Sequence, residues 1–266
     1  MKQIISILFF SFWACSLFAQ LPVGAKVLAL GNTGTTQQDV NGLFYNQAGI
    51  AFANTIELSI ATERRFSQEA LSTYTAGAVI PTKSGSFGLT LNYFGFDLFN
   101  QQQVGIAYAR KFAKNLSIGA QIDVHNYSIP QYGSRALVSF QAGVQYQLTS
   151  DFMVGAHIIN PVRQEITELE PLPSQFKLGL AYTAAEKVDL YAELEQDLDH
   201  PLRFKSGIDY NIAKVLFIRL GIATNPTLFT FGLGIELDAG LKIDAAASYH
   251  QALGLSPGIG VRFKFQ

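Results

Sequence analysis

Leu116-Ser117-Ile118-Gly119-Ala120-Gln121-Ile122-Asp123-Val124-His125 decides how the rest of the chain reads. On an extended backbone Leu116, Ile118, Ala120, Ile122 and Val124 share one side, while Ser117, Gly119, Gln121, Asp123 and His125 share the other. Period two is the strand signal, because successive strand side chains point to opposite faces. Val138, Phe140, Ala142, Val144 and Tyr146 alternate in the same way with Ser139, Gln141, Gly143, Gln145 and Gln147. Near the C-terminus, Ile259, Val261, Phe263 and Phe265 alternate with Gly260, Arg262 and Lys264. Working outward, similar segments fall at 55–65, 70–81, 84–95, 101–112, 115–127, 135–148, 151–160, 174–184, 187–196, 202–212, 215–224, 227–236, 239–250 and 256–265. That makes fourteen strands, an even number.

A soluble sandwich would bury the apolar faces against each other and carry ordinary charge outside. Only 15% of the 266 residues are charged, against about a quarter in typical soluble domains. The polar faces are rich in Gly, Ala, Ser and Gln, and tyrosines recur toward the ends of the apolar face at Tyr93, Tyr108, Tyr146, Tyr182, Tyr210 and Tyr249. A lipid-facing band edged by aromatic residues around a polar lumen accounts for both features. Ten residues tilted by about 40° cross roughly 25 Å, the height of such a band. Every second junction is tight, at 113–115, 149–150, 185–186, 213–214 and 238–239, as periplasmic turns should be; the intervening ones are expected to be longer, notably 161–173. The expected fold is therefore all-β: a fourteen-stranded antiparallel transmembrane β-barrel over residues 55–266, with both ends of the barrel chain periplasmic. Its register on the two sides of the 197–201 turn should follow a residue sum of 398, setting Glu195 opposite Arg203 and Glu193 opposite Lys205.

Upstream, Lys2, an apolar run from Ile4 to Phe18 and Ala19 form a secretory signal pattern over residues 1–19. The only Cys, Cys15, and the only Trp, Trp13, fall inside it. Phe12 and Trp13 disfavour Cys15 as a lipid-modified N-terminus. A disulfide framework and cysteine-based metal sites are excluded. With a formal charge of −1 there is no basic field for a nucleic-acid partner. No cofactor or metal is expected.

Residues 20–54 do not alternate. Gly24-Ala25-Lys26-Val27-Leu28-Ala29-Leu30-Gly31-Asn32-Thr33-Gly34 leads through Gln38-Asp39-Val40-Asn41-Gly42-Leu43-Phe44-Tyr45 to Asn46-Gln47-Ala48-Gly49-Ile50-Ala51. This stretch resembles the start of the FadL-like outer-membrane transporters and the related PorV proteins of Bacteroidetes, departing from their pattern at Gln47, usually Pro, and at Gln38, often acidic. The resemblance implies a bacterial outer-membrane location and an N-terminal hatch inside a fourteen-stranded barrel. It also implies a conduit for a hydrophobic small molecule, or alternatively a type IX secretion component that acts through protein partners. Independently, short polar side chains suit a polar lumen, and Val40, Leu43, Phe44, Tyr45, Ile50 and Phe52 make 40–54 too apolar for a free tail. Residues 20–54 are thus expected as a hatch, with Asn32, Asn46 and Gln47 hydrogen-bonded to lumen side chains.

Chemistry for catalysis is sparse, and no enzyme is expected. His125, His157, His200 and His250 lack metal-ligand spacing. Ser248 and His250 stand in the reverse order to outer-membrane phospholipases, and Asp197, Asp199 and His200 crowd into one turn, unlike a protease rim. The predicted lumen carries Glu57, Glu63, Asp123, Asp189, Glu193, Glu195, Asp209, Glu236 and Asp244 against Arg65, Lys177, Arg203, Lys205, Arg219, Lys242, Arg262 and Lys264. Near balance points to bracing ion pairs more than to an ion-selective pore. The expected network comprises Glu193, Glu195, Arg203, Lys205, Arg219, Glu236 and Arg262.

Overall fold

From Glu57 onward the alternation becomes a continuous ladder. A computed structural model of the protein describes residues 24–130, 133–167 and 170–265. The expected signal segment 1–19 lies outside the described residues. The strands are β1 (Glu57–Arg64), β2 (Ser72–Thr82), β3 (Gly85–Phe96), β4 (Phe99–Lys111), β5 (Leu116–Ile129), β6 (Gly133–Gln147) and β7 (Phe152–Ile159). After a small ribbon of β8 (Glu165–Thr167) and β9 (Glu170–Pro171) follow β10 (Gln175–Ala185), β11 (Val188–Asp197), β12 (Arg203–Ala213), β13 (Leu216–Ala223), β14 (Leu228–Leu237), β15 (Leu241–His250) and β16 (Gly254–Lys264). All but β8 and β9 form one closed barrel of fourteen antiparallel strands, and β1 pairs with β16 to close it. Closure removes every sheet edge, which a strand needs in lipid because unpaired backbone there is costly.

Register sorts the side chains. Ile60, Ile106, Leu220 and Leu233 point outward at 68, 66, 55 and 54% exposure, whereas Gln121, Gln145, Lys177 and Arg219 are buried inside. Tyr93 and Tyr249 mark one end of the outer face, and Tyr108, Tyr146, Tyr182 and Tyr210 mark the other. An outside this apolar is a surface for lipid, and the barrel is a membrane-spanning one.

The start of β1 and the end of β16 lie at one end, called here the terminal end; the opposite is the far end. Far-end junctions are less uniformly long than the sequence suggests. The 160–174 connection is long, and 65–71 makes two 3-10 turns, but β3 and β4 are joined by Asp97 and Leu98 alone. The ladder there runs to Phe96↔Phe99, beyond the last alternating residues, because backbone pairing does not need an apolar face once the strand leaves the lipid band.

Residues 24–54 lie inside the barrel as α1 (Ala25–Ala29), α2 (Gly42–Tyr45) and a 3-10 turn at Gln47–Phe52. The buried apolar core sits here: Val40, Leu43 and Ile50 pack on Val79, Ala107 and Ala109, and Ala25, Leu28 and Ala29 pack on Ala246. Inward glycines of the wall let the segment come close. A Cβ on Gly207 would lie 2.5 Å from the Leu30 carbonyl oxygen, one on Gly155 2.6 Å from that of Thr35, and one on Gly119 2.5 Å from the Gln47 carbonyl carbon. The same holds at Gly77 for Phe44 and at Gly232 for Ala29. A band of the wall facing the segment has therefore been shorn of side chains.

Candidate functional site: the occupied lumen

Two charged clusters grip the segment, one from each end. At the far-end side, cross-strand neighbours place Glu195 opposite Arg203 and Glu193 opposite Lys205, the register with sum 398, and set Tyr191 opposite Gly207. The Lys205 ammonium donates to Glu193 Oε1 at 3.0 Å and to Glu195 Oε2 at 2.6 Å. Arg203 Nη1 reaches Glu195 Oε1 at 3.0 Å, and Lys177 Nζ lies 3.3 Å from Glu195 Oε2. Glu193 then uses its second oxygen on the segment, accepting from the N–H groups of Gly34 and Thr35, each at 2.9 Å, and from the Thr35 hydroxyl at 2.7 Å. Lys205 also donates to the carbonyl of Asn32 at 3.3 Å. Buried charges are tolerable only when paired and hydrogen-bonded, and each carboxylate here meets that condition.

At the terminal end the chain of contacts is Lys26–Asp39–Arg262–Asp244–Arg219–Asp209. Arg262 joins Asp39 at 2.6 Å and Asp244 at 2.8 Å, and Arg219 joins Asp244 at 2.6 Å and Asp209 at 3.0 Å. Burial would raise the Asp39 carboxyl, but Lys26 and Arg262 beside it, with two bonds from Asn41, hold it well below the usual carboxylate range. Val40 N–H donates to Glu57 at 2.9 Å, tying the segment to the first residue of β1.

Between the clusters an amide layer does the holding. Gln47 donates to Gln141 at 3.2 Å, and its Oε1 lies 3.1 Å from His157 Nε2. Gln145 donates to the carbonyls of Thr35 and Gln37. Nearby, Asp123 is held by Gln103, Gln121 and Gln141, which donate to it at 2.8, 2.6 and 2.6 Å. Three amides solvate a carboxylate with no Lys or Arg in contact with it among the described residues.

The seven-residue network expected from sequence thus divides. Glu193, Glu195, Arg203 and Lys205 share the far-end cluster, whereas Arg219 and Arg262 meet through Asp244 at the other end. Glu236 joins neither; it lies half-exposed at the rim, 2.8 Å from Lys242. Of the three segment residues, Gln47 bonds to wall side chains through its amide, and Asn32 accepts from the Lys205 side chain through its backbone carbonyl. Asn46 reaches past the wall side chains to the carbonyls of Val144 and Ala156, because Gly143 and Gly155 leave the wall backbone open. Sequence reasoning passed over Asp39 and Thr35 as anchors; the only hint was an acidic residue beside Val40 in a segment otherwise poor in charge. The other three histidines bond within the wall or their own turns: His125 to Ser139, His200 to Asp197, and His250 accepting from Ala252 and Leu253.

Fold and interior together define a class: a membrane-spanning fourteen-stranded barrel whose lumen is occupied by its own N-terminal segment. Among solved structures the chain resembles the Ralstonia pickettii toluene transporter TbuX, with TM-score 0.72 and 13% identity over 94% of this chain and 100% of that one. It resembles a Pseudomonas aeruginosa FadL homologue at TM-score 0.70 and 12% identity, over 92% and 98% of the two chains. The Pseudomonas putida toluene transporter TodX matches at TM-score 0.69 and 13% identity, over 90% and 96%. At such identities the likeness is one of fold. No family model matches the chain, and no curated protein matches it by sequence.

Proposed function

We propose that this barrel resides in a bacterial outer membrane and admits small hydrophobic molecules, residues 20–54 serving as its hatch. The terminal end would then face the periplasm, and residues 1–19 would direct export. The observation that carries the reading is a lumen closed by a segment of the same chain, anchored through hydrogen bonds and ion pairs at both ends. Such contacts can exchange with water or with one another, so the closure is one that can be undone without breaking a covalent bond. The likeness to toluene transporters supports a conduit; the secretion-partner reading draws no support from it.

Labelled toluene offered to bacterial cells that make the protein should enter faster than into matched cells that do not. A lipopolysaccharide-coated cell is the right setting, because toluene crosses plain phospholipid unaided. Identical uptake with and without the protein, at verified surface levels, would overturn the conduit reading.

A further inference from the structure

Exposed charge is spread unevenly around the rim of the terminal end. The β2–β3 turn carries Lys83, and the end of β4 with the turn after it carries Arg110, Lys111 and Lys114; all four side chains are exposed. No Asp or Glu occurs from Ala70 to Phe96 or from Leu98 to Ile122, so β2 to β4 and the turns between them bring no carboxylate to this arc. Elsewhere on the rim the signs mix, with Glu186 beside Lys187 and Asp238 near the Lys242–Glu236 pair. Lys111 is committed to the segment, its ammonium 4.2 Å from the Phe52 ring. Lys83, Arg110 and Lys114 have no ion-pair partner among the described residues.

The wall holds these three cations against the lipid-facing surface. Ser86 of β3 is opposite Ala109 of β4, and the Tyr108 hydroxyl donates to the Ser84 carbonyl at 2.7 Å, which fastens the β2–β3 turn beside Arg110. Arg110 continues the outward series of Val104, Ile106 and Tyr108. Next to it on the outer face the rings of Phe87 and Tyr108 lie 5.0 Å apart, and Phe112 is 65% exposed in the β4–β5 turn. Cations at the rim above an apolar, aromatic face match the two ends of a lipid, an anion at the head and chains below. Phosphatidylcholine and phosphatidylethanolamine bring their own cation to the phosphate. Phosphatidylglycerol does not, so its headgroup leaves a net charge for unpaired lysine and arginine to meet.

We propose that Lys83, Arg110 and Lys114 bind the phosphodiester of an anionic phospholipid, phosphatidylglycerol or a lipid of the same headgroup charge, with its chains lying along Phe87, Tyr108 and Phe112. Arg110 offers paired donors to the phosphate oxygens, and the two lysines add charge on either side. The assignment rests on the barrel crossing a membrane and not on what it conducts.

Single-tryptophan reporters test it: Phe112→Trp within the arc and Leu237→Trp on the outer face beside Asp238, each combined with Trp13→Phe because Trp13 is the only Trp. The full-length protein is placed in phosphatidylcholine vesicles in which part of the lipid is brominated phosphatidylglycerol or, separately, brominated phosphatidylcholine. Quenching by the second lipid verifies insertion of every variant. At equal mole fraction, the Phe112→Trp reporter should favour phosphatidylglycerol by about fivefold or more, whereas the Leu237→Trp reporter should show little preference. Adding Arg110→Gln and Lys114→Gln should remove the preference at Phe112→Trp. Equal quenching by the two lipids at Phe112→Trp, the same preference at both reporters, or a preference that survives the double substitution would each overturn the assignment. So would a preference erased by inorganic phosphate but not by chloride at matched ionic strength, which would mark a site for a free anion.

Discussion

Thr35 gives both its backbone N–H and its hydroxyl to one oxygen of Glu193, at 2.9 and 2.7 Å, across 158 residues of chain. The other oxygen of that carboxylate is 3.0 Å from the Lys205 ammonium. One side chain therefore ties two wall strands together and also holds the N-terminal segment.

Charge exchange separates the two tasks. Glu193→Lys alone should destabilise the barrel by about 3–5 kcal/mol, because Lys205 loses a buried partner. Adding Lys205→Glu should restore the wall pair but not the segment, since a lysine at 193 presents donors to the N–H groups of Gly34 and Thr35. Urea unfolding in lipid vesicles reads the first effect, and protease cleavage near Lys26 reads the second. Full rescue of both would contradict the dual role.

A second test addresses close approach. Gly207→Ala should leave the barrel folded but push the segment away at Leu30, and Gly155→Ala should do so at Thr35. Gly258→Ala should be milder, because its nearest neighbour is the flexible end of Leu28 at 3.1 Å. A cysteine placed at Thr33 should become reactive to a water-soluble maleimide in the first two variants and stay protected in the third.

The outer face gives a third. Leu220→Arg, near the middle of β13, should cost roughly 2–4 kcal/mol in vesicles. A variant as stable as the parent would mean that the assigned face does not meet lipid.

Acid should loosen the segment at Asp39. Its carboxyl is depressed in the folded protein, so its stabilising contribution is complete above the unfolded value near ~3.9 and drains away as pH falls toward the lower folded value. Segment protection from proteolysis by pepsin should therefore decline below about pH 4, and Asp39→Asn should flatten that decline while weakening protection from trypsin at neutral pH.

Strand number, facing and the β11–β12 register were legible because period two is local and a one-residue slip would turn a whole strand inside out. The opposite charges of Glu195 and Arg203, and of Glu193 and Lys205, set that register from the residue order alone. The path of residues 24–54 was not legible in the same way. Its contacts are long-range and largely made by backbone, as with the Thr35 carbonyl, or reach wall backbone through missing side chains, as with Asn46 over Gly143 and Gly155. No pattern within the segment encodes which glycine on a distant strand will face it. The β3–β4 turn was misjudged for another reason: alternation reports the lipid band, while the ladder continues past it.

Residues 24–54 are bonded to β14 through Thr230, which accepts from the Gly31 N–H and donates to the Ala29 carbonyl, and to β16 through Asp39 and Arg262, strands that lie far downstream of them. Residues 24–54 therefore cannot be fully seated until β14 and β16 have joined the wall. Seating of the segment becomes a receipt for a completed wall: a molecule truncated before Arg262 should reach lipid with its first residues still open to protease, and quality-control proteases could tell finished from unfinished molecules by that exposure alone.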